Sequence, residues 1–298
     1  MSRNANSPQR PPAEEAKGED QLDQTFKESP AFVKLLAGEP RPDLARICLE
    51  IARDFAPGLE IEDYLKRIDD LAGRVRERCP SGMGPLQILN QIHWVMHVEE
   101  GYEGNRDDYY DASNSYLNEV IDRKIGIPIT LCILYSAVAS RVGLHLSGLD
   151  LPAHFMLKLE TVPESRFIDP FHGQILDQSG CEKRLTKILG QPVRLTSEQL
   201  SDCPPARIIA RVLRNLKAVH LQEGDLMAVL LVQRRLSALG PEDPRELREL
   251  GLLSLQLTRL DEGVAALQQY LRLSPNSDDR DFIETLIRDG RREIALRN

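Results

Sequence analysis

The sequence predicts an α+β domain followed by an all-α helical module. Apolar residues recur at helical spacing over residues 29–113, short alternating apolar runs appear between 114 and 200, and residues 205–298 are helical again. The chain has 298 residues, of which 41% are hydrophobic. This length and composition suit one large domain or two ordinary ones, and they exclude a wholly disordered chain.

Residues 1–28 are predicted to form a disordered tail. The segment is rich in Pro, Glu, Gln, Asp and Ser, so it cannot bury enough apolar surface to offset the entropy lost on ordering. It lacks the apolar core of a signal peptide. The rest of the chain has no run of about 18 apolar residues, which a transmembrane helix would need. We therefore expect a cytoplasmic protein that has no membrane partner.

The first part of the α+β domain, residues 29–113, is predicted to be helical. Apolar side chains recur at intervals of three and four in 43–55, 60–78 and 84–100. Asp43 is a natural N-cap for the first of these helices, because its carboxylate can accept a hydrogen bond from a free amide of the first turn. A polar loop rich in glycine, aspartate and asparagine follows the third helix.

The core of the α+β domain, residues 114–200, mixes helix and strand signals. A short helix is predicted over 115–124 and a strongly apolar helix over 129–142. Three pieces then follow in which apolar residues alternate or run briefly, LHLSGLDL, HFMLKLE and RFIDPF. Such pieces are typical of strands, so this part of the chain is predicted to hold a sheet next to the apolar helix.

Residues 205–298 repeat with a period of 34 residues. The offset aligns Leu216 with Leu250, Leu221 with Leu255, Leu226 with Leu260, Leu239 with Leu273, and Pro241 with Pro275. A period of 34 residues in helical sequence is typical of tetratricopeptide (TPR) repeats. Gly251 and Gly263 stand where that motif takes small residues, and a last helix over about 277–295 would cap the stack. The alternative is an ordinary helical pair with coincidental leucine spacing.

His154 and Asp169 are the first candidates for a functional site. They lie on successive strand signals, and a turn centred near Val162 and Pro163 would place Met156 opposite Asp169 with His154 diagonally beside it. Diagonal neighbours are roughly 7–8 Å apart at Cα, which lets a carboxylate orient an imidazole. Such a pair is the second half of a nucleophile–His–Asp arrangement. The alternative is a solvated histidine and an aspartate that ends a strand.

A cysteine would be the natural nucleophile for that pair. The chain has five, Cys48, Cys79, Cys132, Cys181 and Cys203. Their odd number and the absence of a CxxC pair favour a reduced, intracellular protein over a disulfide framework or a zinc module. Cys132 lies about one turn beyond the start of the helix that begins near Pro128, and its apolar neighbours favour a packed thiol with a raised pKa. Thr130 is a formal alternative, but nothing nearby in sequence activates its hydroxyl.

The middle of the chain resembles the core of the transglutaminase-like, papain-related superfamily. The segments that carry the resemblance are GIPITLCILYSAVASRVGL, LPAHFMLKLE and FIDPF. Within the superfamily the chain is similar to the bacterial SirB-type family, which joins this core to C-terminal TPR-like helices. The EGYEGN loop, NSYLNEVIDRKIGIPITL and the 34-residue units fit the same family. The resemblance covers roughly residues 30–275 and implies a transglutaminase/papain-like fold for residues 29–200.

The resemblance also implies which triad members are present. Active members of the superfamily usually carry Gly-x-Cys at the head of the core helix, where this chain has Gly126-Ile127-Pro128. Pro128 therefore occupies the position of the nucleophile, while His154 and Asp169 match the family's histidine and aspartate. Without a thiolate, the His–Asp pair has no acyl acceptor to activate.

We therefore predict a catalytically degenerate core whose cleft is kept for binding. Its predicted lining includes Pro128, Thr130 and His172. One rival hypothesis is a thiol-dependent amidase, peptidase or acyltransferase that uses Cys132 with His154 and Asp169. Another is chemistry without a cysteine, in which the His–Asp pair acts with neighbouring polar groups or a metal.

Other candidate sites are weaker. His93 and His97 are four residues apart on one predicted helix, but HWVMHVEE is not the HExxH zinc motif and no third ligand is evident, so we predict ordinary helix-face histidines and no metal or other cofactor. The chain has no GxxxxGK[ST] loop, which excludes a P-loop nucleotide hydrolase.

The predicted partner is a protein or peptide that binds through residues 205–298, because TPR modules usually bind peptides or helices along a concave face. The formal net charge of -8 argues against a nucleic-acid partner, whose phosphates require clustered Lys and Arg. The sequence does not specify an oligomeric state.

Overall fold

The computed structural model describes residues 26–297. Of the predicted tail, residues 1–25 lie outside the described part of the chain. Residues 26–28 form a turn, and the buried ring of Phe26 packs edge-on against Phe32 with centroids 5.1 Å apart. The packed chain therefore includes three residues that composition alone assigns to the tail, because one aromatic side chain finds a place in the core.

The first part of the chain is helical, as predicted. It consists of α1 (Pro30–Leu36), α2 (Leu44–Arg53), α3 (Ile61–Glu77) and α4 (Pro85–His93), followed by a π-helical turn (Trp94–Glu99). Asp43 caps α2 by accepting a hydrogen bond from the Arg46 amide at 3.1 Å. The helix predicted over 84–100 is α-helical only as far as His93, because the backbone bonds then widen to the spacing of a π-helix.

The α+β core follows. It consists of β1 (Glu103–Gly104), a 3₁₀ turn (Ala112–Asn114), α5 (Leu117–Arg123), β2 (Ile125–Gly126), α6 (Pro128–Arg141), β3 (Ser147–Leu151), β4 (His154–Leu159), β5 (Arg166–Asp169), β6 (Gln174–Leu176) and α7 (Gln178–Leu189). Strands β1 and β2 pair in parallel, and β3 to β6 form an antiparallel sheet in sequence order. Ten of the fourteen residues of α6 are buried, so this helix lies at the centre of the domain with β4 against it.

The register between β4 and β5 confirms the one predicted from the turn. Leu157 lies opposite Ile168 and Lys158 opposite Phe167. Continuing this register places Met156 opposite Asp169, at the start of β4 and the end of β5. Because side chains alternate between faces along a strand, His154 and Asp169 then share one face of the sheet.

The C-terminal part is entirely helical. It consists of α8 (Pro205–Glu223), α9 (Leu226–Leu239), α10 (Pro244–Gln256), α11 (Leu260–Leu273) and α12 (Arg280–Arg297). Helices α9 and α11 begin and end at leucines that are 34 residues apart, which confirms the repeat. Gly251 and Gly263 allow α10 and α11 to pack closely, since a Cβ on Gly251 would lie 2.5 Å from Cγ of Leu267.

Helices α8 and α9 share the hydrophobic core of the α+β domain. Ile209, Leu213 and Leu216 of α8 are fully buried in the same cluster as the apolar residues of α6. Arg235 of α9 is also buried, and its Nε donates to Asp54 at 2.6 Å. The domain boundary predicted at residue 205 thus runs through a continuous core, and only α10 to α12 enclose a separate apolar cluster.

No helix in the stretch from residue 26 to residue 297 combines the length and the apolarity that crossing a bilayer requires.

Candidate functional site

The predicted pair of His154 and Asp169 forms in the structure. His154 is the first residue of β4 and Asp169 the last of β5, and the antiparallel register brings their side chains together. Nε2 of His154 lies 3.0 Å from Oδ1 of Asp169. Both residues are buried, with 3% and 0% of their surface exposed. An ionised carboxylate only accepts hydrogen bonds, so the imidazole donates its Nε2 proton and leaves Nδ1 with a lone pair when the ring is neutral.

Two further side chains reach the same carboxylate. Nδ1 of His172 donates to Oδ2 of Asp169 at 2.8 Å, and the backbone amide of His172 donates to Oδ1 at 3.3 Å. Nε of Arg184, on α7, lies 3.4 Å from Oδ2. Burial by itself would raise the pKa of Asp169, but the hydrogen bonds from the two histidines outweigh it and hold the pKa well below its ordinary value. Asp169 is thus a buried carboxylate that stays ionised at neutral pH.

Phe171 covers the histidine of this pair. Its ring lies edge-on to His154, with centroids 6.2 Å apart, and its carbonyl accepts a hydrogen bond from the Gly104 amide at 3.1 Å. A Cβ on Gly104 would overlap the Phe171 ring, so the glycine is what lets β1 approach this closely. The His154 ring therefore has almost no surface through which it could touch a substrate.

The start of α6 carries no nucleophile. Pro128 is the first residue of the helix and is buried. The hydroxyl of Thr130 donates to the Asn114 carbonyl at 2.8 Å and accepts from the Ile127 amide at 3.2 Å, and no part of Thr130 is exposed. Pro128 and Thr130, which were predicted to line the cleft, are packed inside instead, because Thr130 closes the first turn of α6.

Cys132 is packed beneath β4. Its side chain is fully buried, and Sγ donates to the Phe155 carbonyl at 3.6 Å. Burial, together with the negative charge of Asp169, raises the pKa of the thiol well above its ordinary value. Among the described residues no hydrogen bond joins Cys132 to His154. A thiol in this position is held neutral and away from the base that would have to activate it.

His93 and His97 lie under the loop that carries His172. Their rings are 4.6 Å apart, and Nδ1 of His97 contacts the Tyr102 carbonyl at 2.6 Å. Burial and the neighbouring His97 lower the pKa of His93 to about 4, and burial lowers the pKa of His97 as well. Within residues 26–297 neither belongs to a group of three metal-ligating side chains.

The described residues contain one such group, His154, Asp169 and His172, whose ligand atoms lie within 4.8 Å of one another. Two histidines and a carboxylate are a common ligand set for first-row transition metals. The carboxylate, however, is already in an ion pair with Arg184, and a divalent cation would have to replace that pair and both imidazole hydrogen bonds. These residues fit a metal poorly, because a fixed guanidinium repels a second cation at the same carboxylate.

A cavity of about 480 Å³ opens beside this network. Its lining consists of Arg106, His172, Gln174, Arg184, Lys187 and Ile188. Of these residues only His172 was predicted from the sequence. Helix α7, which carries three of the others, has a readable signal in the N-cap Asp177 and the terminal Gly190, whose φ of 68° suits a helix end.

Two family models match the chain. Residues 62–214, just over half of the 298, match a model described as transglutaminase-like superfamily, and residues 216–288 match a tetratricopeptide repeat model. The first model ends within α8, in agreement with the packing of that helix into the main core.

Several curated proteins are similar over most of their length. A UPF0162 protein of Xylella fastidiosa is 32% identical over 245 residues, which cover 80% of this chain and 87% of that protein. The protein SirB1 of Salmonella typhimurium is 26% identical over 238 residues, with the same two coverages. F-box only protein 21 of Mus musculus is 32% identical over 143 residues, which are 46% of this chain and 22% of that protein.

Proposed function

The chain belongs to the SirB-type family of UPF0162 and SirB1 proteins, with a transglutaminase-like domain followed by tetratricopeptide repeats, and from this premise we propose that it is a catalytically degenerate member that binds a protein or peptide partner. The partner would contact the C-terminal helices and the cleft beside Asp169. Its five unpaired cysteines favour a reducing, cytoplasmic compartment for this activity.

The observation that carries this proposal is Pro128 at the head of α6. A proline has no group that can attack a carbonyl, and a papain-like mechanism needs a thiolate at that point. The loss is not compensated nearby, since Thr130 uses its hydroxyl within the fold and Cys132 is buried with a raised pKa. The His154–Asp169 pair is then best explained as a structural element that keeps the end of the sheet in place.

The C-terminal helices support the binding part of the proposal. TPR helices stack side by side and present a curved face that is wide enough for a peptide or a helix. In this chain α10, α11 and α12 have their own apolar cluster around Leu267, so they can keep their arrangement while one face contacts a partner. This supports a regulatory or scaffolding role, which the fold alone does not establish.

Cysteine labelling separates the proposal from the thiol-enzyme alternative. At pH 7.5 we expect iodoacetamide to modify Cys79 first, because it is the one cysteine of the five that is not buried, and to modify Cys132 roughly 100-fold more slowly or not at all. Peptide mass spectrometry of timed samples measures both rates. The Cys79→Ser variant is the control, since removing the fast site should leave the slow rate at Cys132 unchanged. Labelling of Cys132 as fast as Cys79 would contradict the proposal.

A truncation tests the role of the C-terminal helices. Removing residues 205–298 would strip α8 from the main core, so the sharper variant ends at Gly240 and keeps α8 and α9. We expect partners that co-purify with the full chain to be lost from this shorter chain, while the helical circular dichroism of the remaining domain stays cooperative on heating. Cross-linking mass spectrometry on the full chain should place the partner against α10 to α12. Equal recovery of the same partners by both chains would count against the proposal.

A further inference from the structure

The cavity beside Asp169 carries an excess of positive charge in a chain whose formal net charge is -8. Three cationic side chains line it, Arg106, Arg184 and Lys187, and Asp169 is the carboxylate in contact with this wall. Within the described part of the chain neither Arg106 nor Lys187 forms an ion pair. Unpaired cations that converge on one concavity create a local positive potential that attracts anions.

The negative charge of Asp169 does not neutralise this wall. The carboxylate accepts hydrogen bonds from both His154 and His172 in addition to its contact with Arg184, so its charge is shared among three donors. The guanidinium of Arg184 is held from two sides, by Asp169 and by the side-chain oxygen of Gln174, and its side chain is only 15% exposed. A guanidinium fixed in this way keeps its remaining N–H groups available in a set direction, which reduces the entropy lost when a ligand binds.

We propose that this cavity binds an oxyanion, a phosphate or carboxylate group, and that the partner presents it. Arg and Lys side chains are the usual donors to both groups, through bonds that are shorter and stronger than neutral hydrogen bonds. The cavity volume of about 480 Å³ holds more than a single phosphate, and Ile188 gives it one apolar edge. The ligand is therefore an oxyanion attached to a few further atoms, as at an acidic or phosphorylated side chain. This inference rests on the proposed function, because it takes the cleft as a binding site.

Charge decides between this ligand and a metal ion at the same place. A divalent cation bound to His154, Asp169 and His172 would lie next to the Arg184 guanidinium, with Arg106 and Lys187 across the cavity. Every one of these positive charges opposes the metal and favours an anion.

The test is titration of the full chain with inorganic phosphate and, separately, with succinate, at constant ionic strength and followed by calorimetry. We expect at least one of the two to bind, and we expect Arg106→Gln and Lys187→Gln each to weaken that binding roughly tenfold. Lys66→Gln is the matched control, since it removes one exposed positive charge from α3, which does not line the cavity, and should change the affinity less than about twofold. Both cavity side chains are exposed, so their loss should leave the unfolding transition unchanged.

The two titrations distinguish the source of the oxyanion. Tighter binding of phosphate indicates a phosphorylated partner, and tighter binding of succinate indicates an acidic one. The inference is overturned if neither anion binds, if Lys66→Gln weakens binding as much as the cavity variants do, or if Zn²⁺ binds the unaltered chain while both anions do not. Loss of the inference would leave partner recovery by the full chain intact, whereas fast labelling of Cys132 would overturn the proposed function without altering anion binding.

Discussion

Replacing Asp169 by asparagine is expected to lower the free energy of unfolding by about 3–5 kcal/mol at neutral pH. The carboxylate is completely buried and accepts hydrogen bonds from His154 and His172, with Arg184 beside it. Asparagine keeps the shape but removes the charge and turns one acceptor into a donor that faces other donors. Urea unfolding followed by circular dichroism measures the loss.

The matched control for this variant is Asp202→Asn. Asp202 also lies near a cation, Lys158, at 3.3 Å, but its side chain is 60% exposed, so its charge is screened by water. We expect this control to cost less than about 1 kcal/mol. Equal losses for the two variants would mean that the network around Asp169 contributes no more to stability than a surface ion pair.

The same pair of proteins should show a specific dependence on pH. Because the folded chain holds the pKa of Asp169 below its ordinary value, the carboxylate stabilises the fold fully above about pH 4 and loses this effect as the pH falls toward the folded pKa. The difference in unfolding free energy between the unaltered protein and Asp169→Asn should therefore be constant between pH 5 and 7 and should narrow below about pH 4. A constant difference down to pH 2 would show that the ionised carboxylate is not the source of the stability.

Replacing Gly251 by alanine is expected to destabilise the C-terminal helices by about 1–3 kcal/mol. The added Cβ would lie 2.5 Å from Cγ of Leu267 and 3.1 Å from its backbone nitrogen, so α10 and α11 would have to move apart. Leu267 is fully buried in the cluster that holds α10 to α12 together. Hydrogen exchange of the α11 amides, compared with that of the α6 amides, measures this effect where it arises.

Gly73→Ala is the matched control, because it makes the same change inside a helix where nothing lies within 4 Å of the new Cβ. Alanine has the higher helix propensity, so this control should stabilise α3 by about 0.5–1 kcal/mol. Opposite signs for the two variants are the expected result. If both substitutions stabilise the protein, close packing at Gly251 is not what the repeat requires.

Several parts of this protein follow from the sequence alone. The 34-residue period predicts α9 and α11 with equivalent first and last residues, and the alternation in HFMLKLE and RFIDPF predicts the register that joins His154 to Asp169. Pro128 at the head of α6 is equally plain in the sequence. These features depend on residues that are close together along the chain, so local periodicity and turn chemistry are enough to reveal them.

Other parts were decided only by tertiary structure. Arg184 reaches Asp169 from a helix with no strong sequence signal, and the burial of Thr130 and Cys132 depends on Asn114 and on β4, which are remote from them along the chain. The same holds for α8 and α9, which extend the main core across the boundary predicted at 205. Burial and charge pairing depend on which distant elements pack together, and no local pattern encodes that choice. The sequence thus identified the His–Asp pair and the missing nucleophile, while the packing of α7 against the sheet surrounded that pair with positive charge.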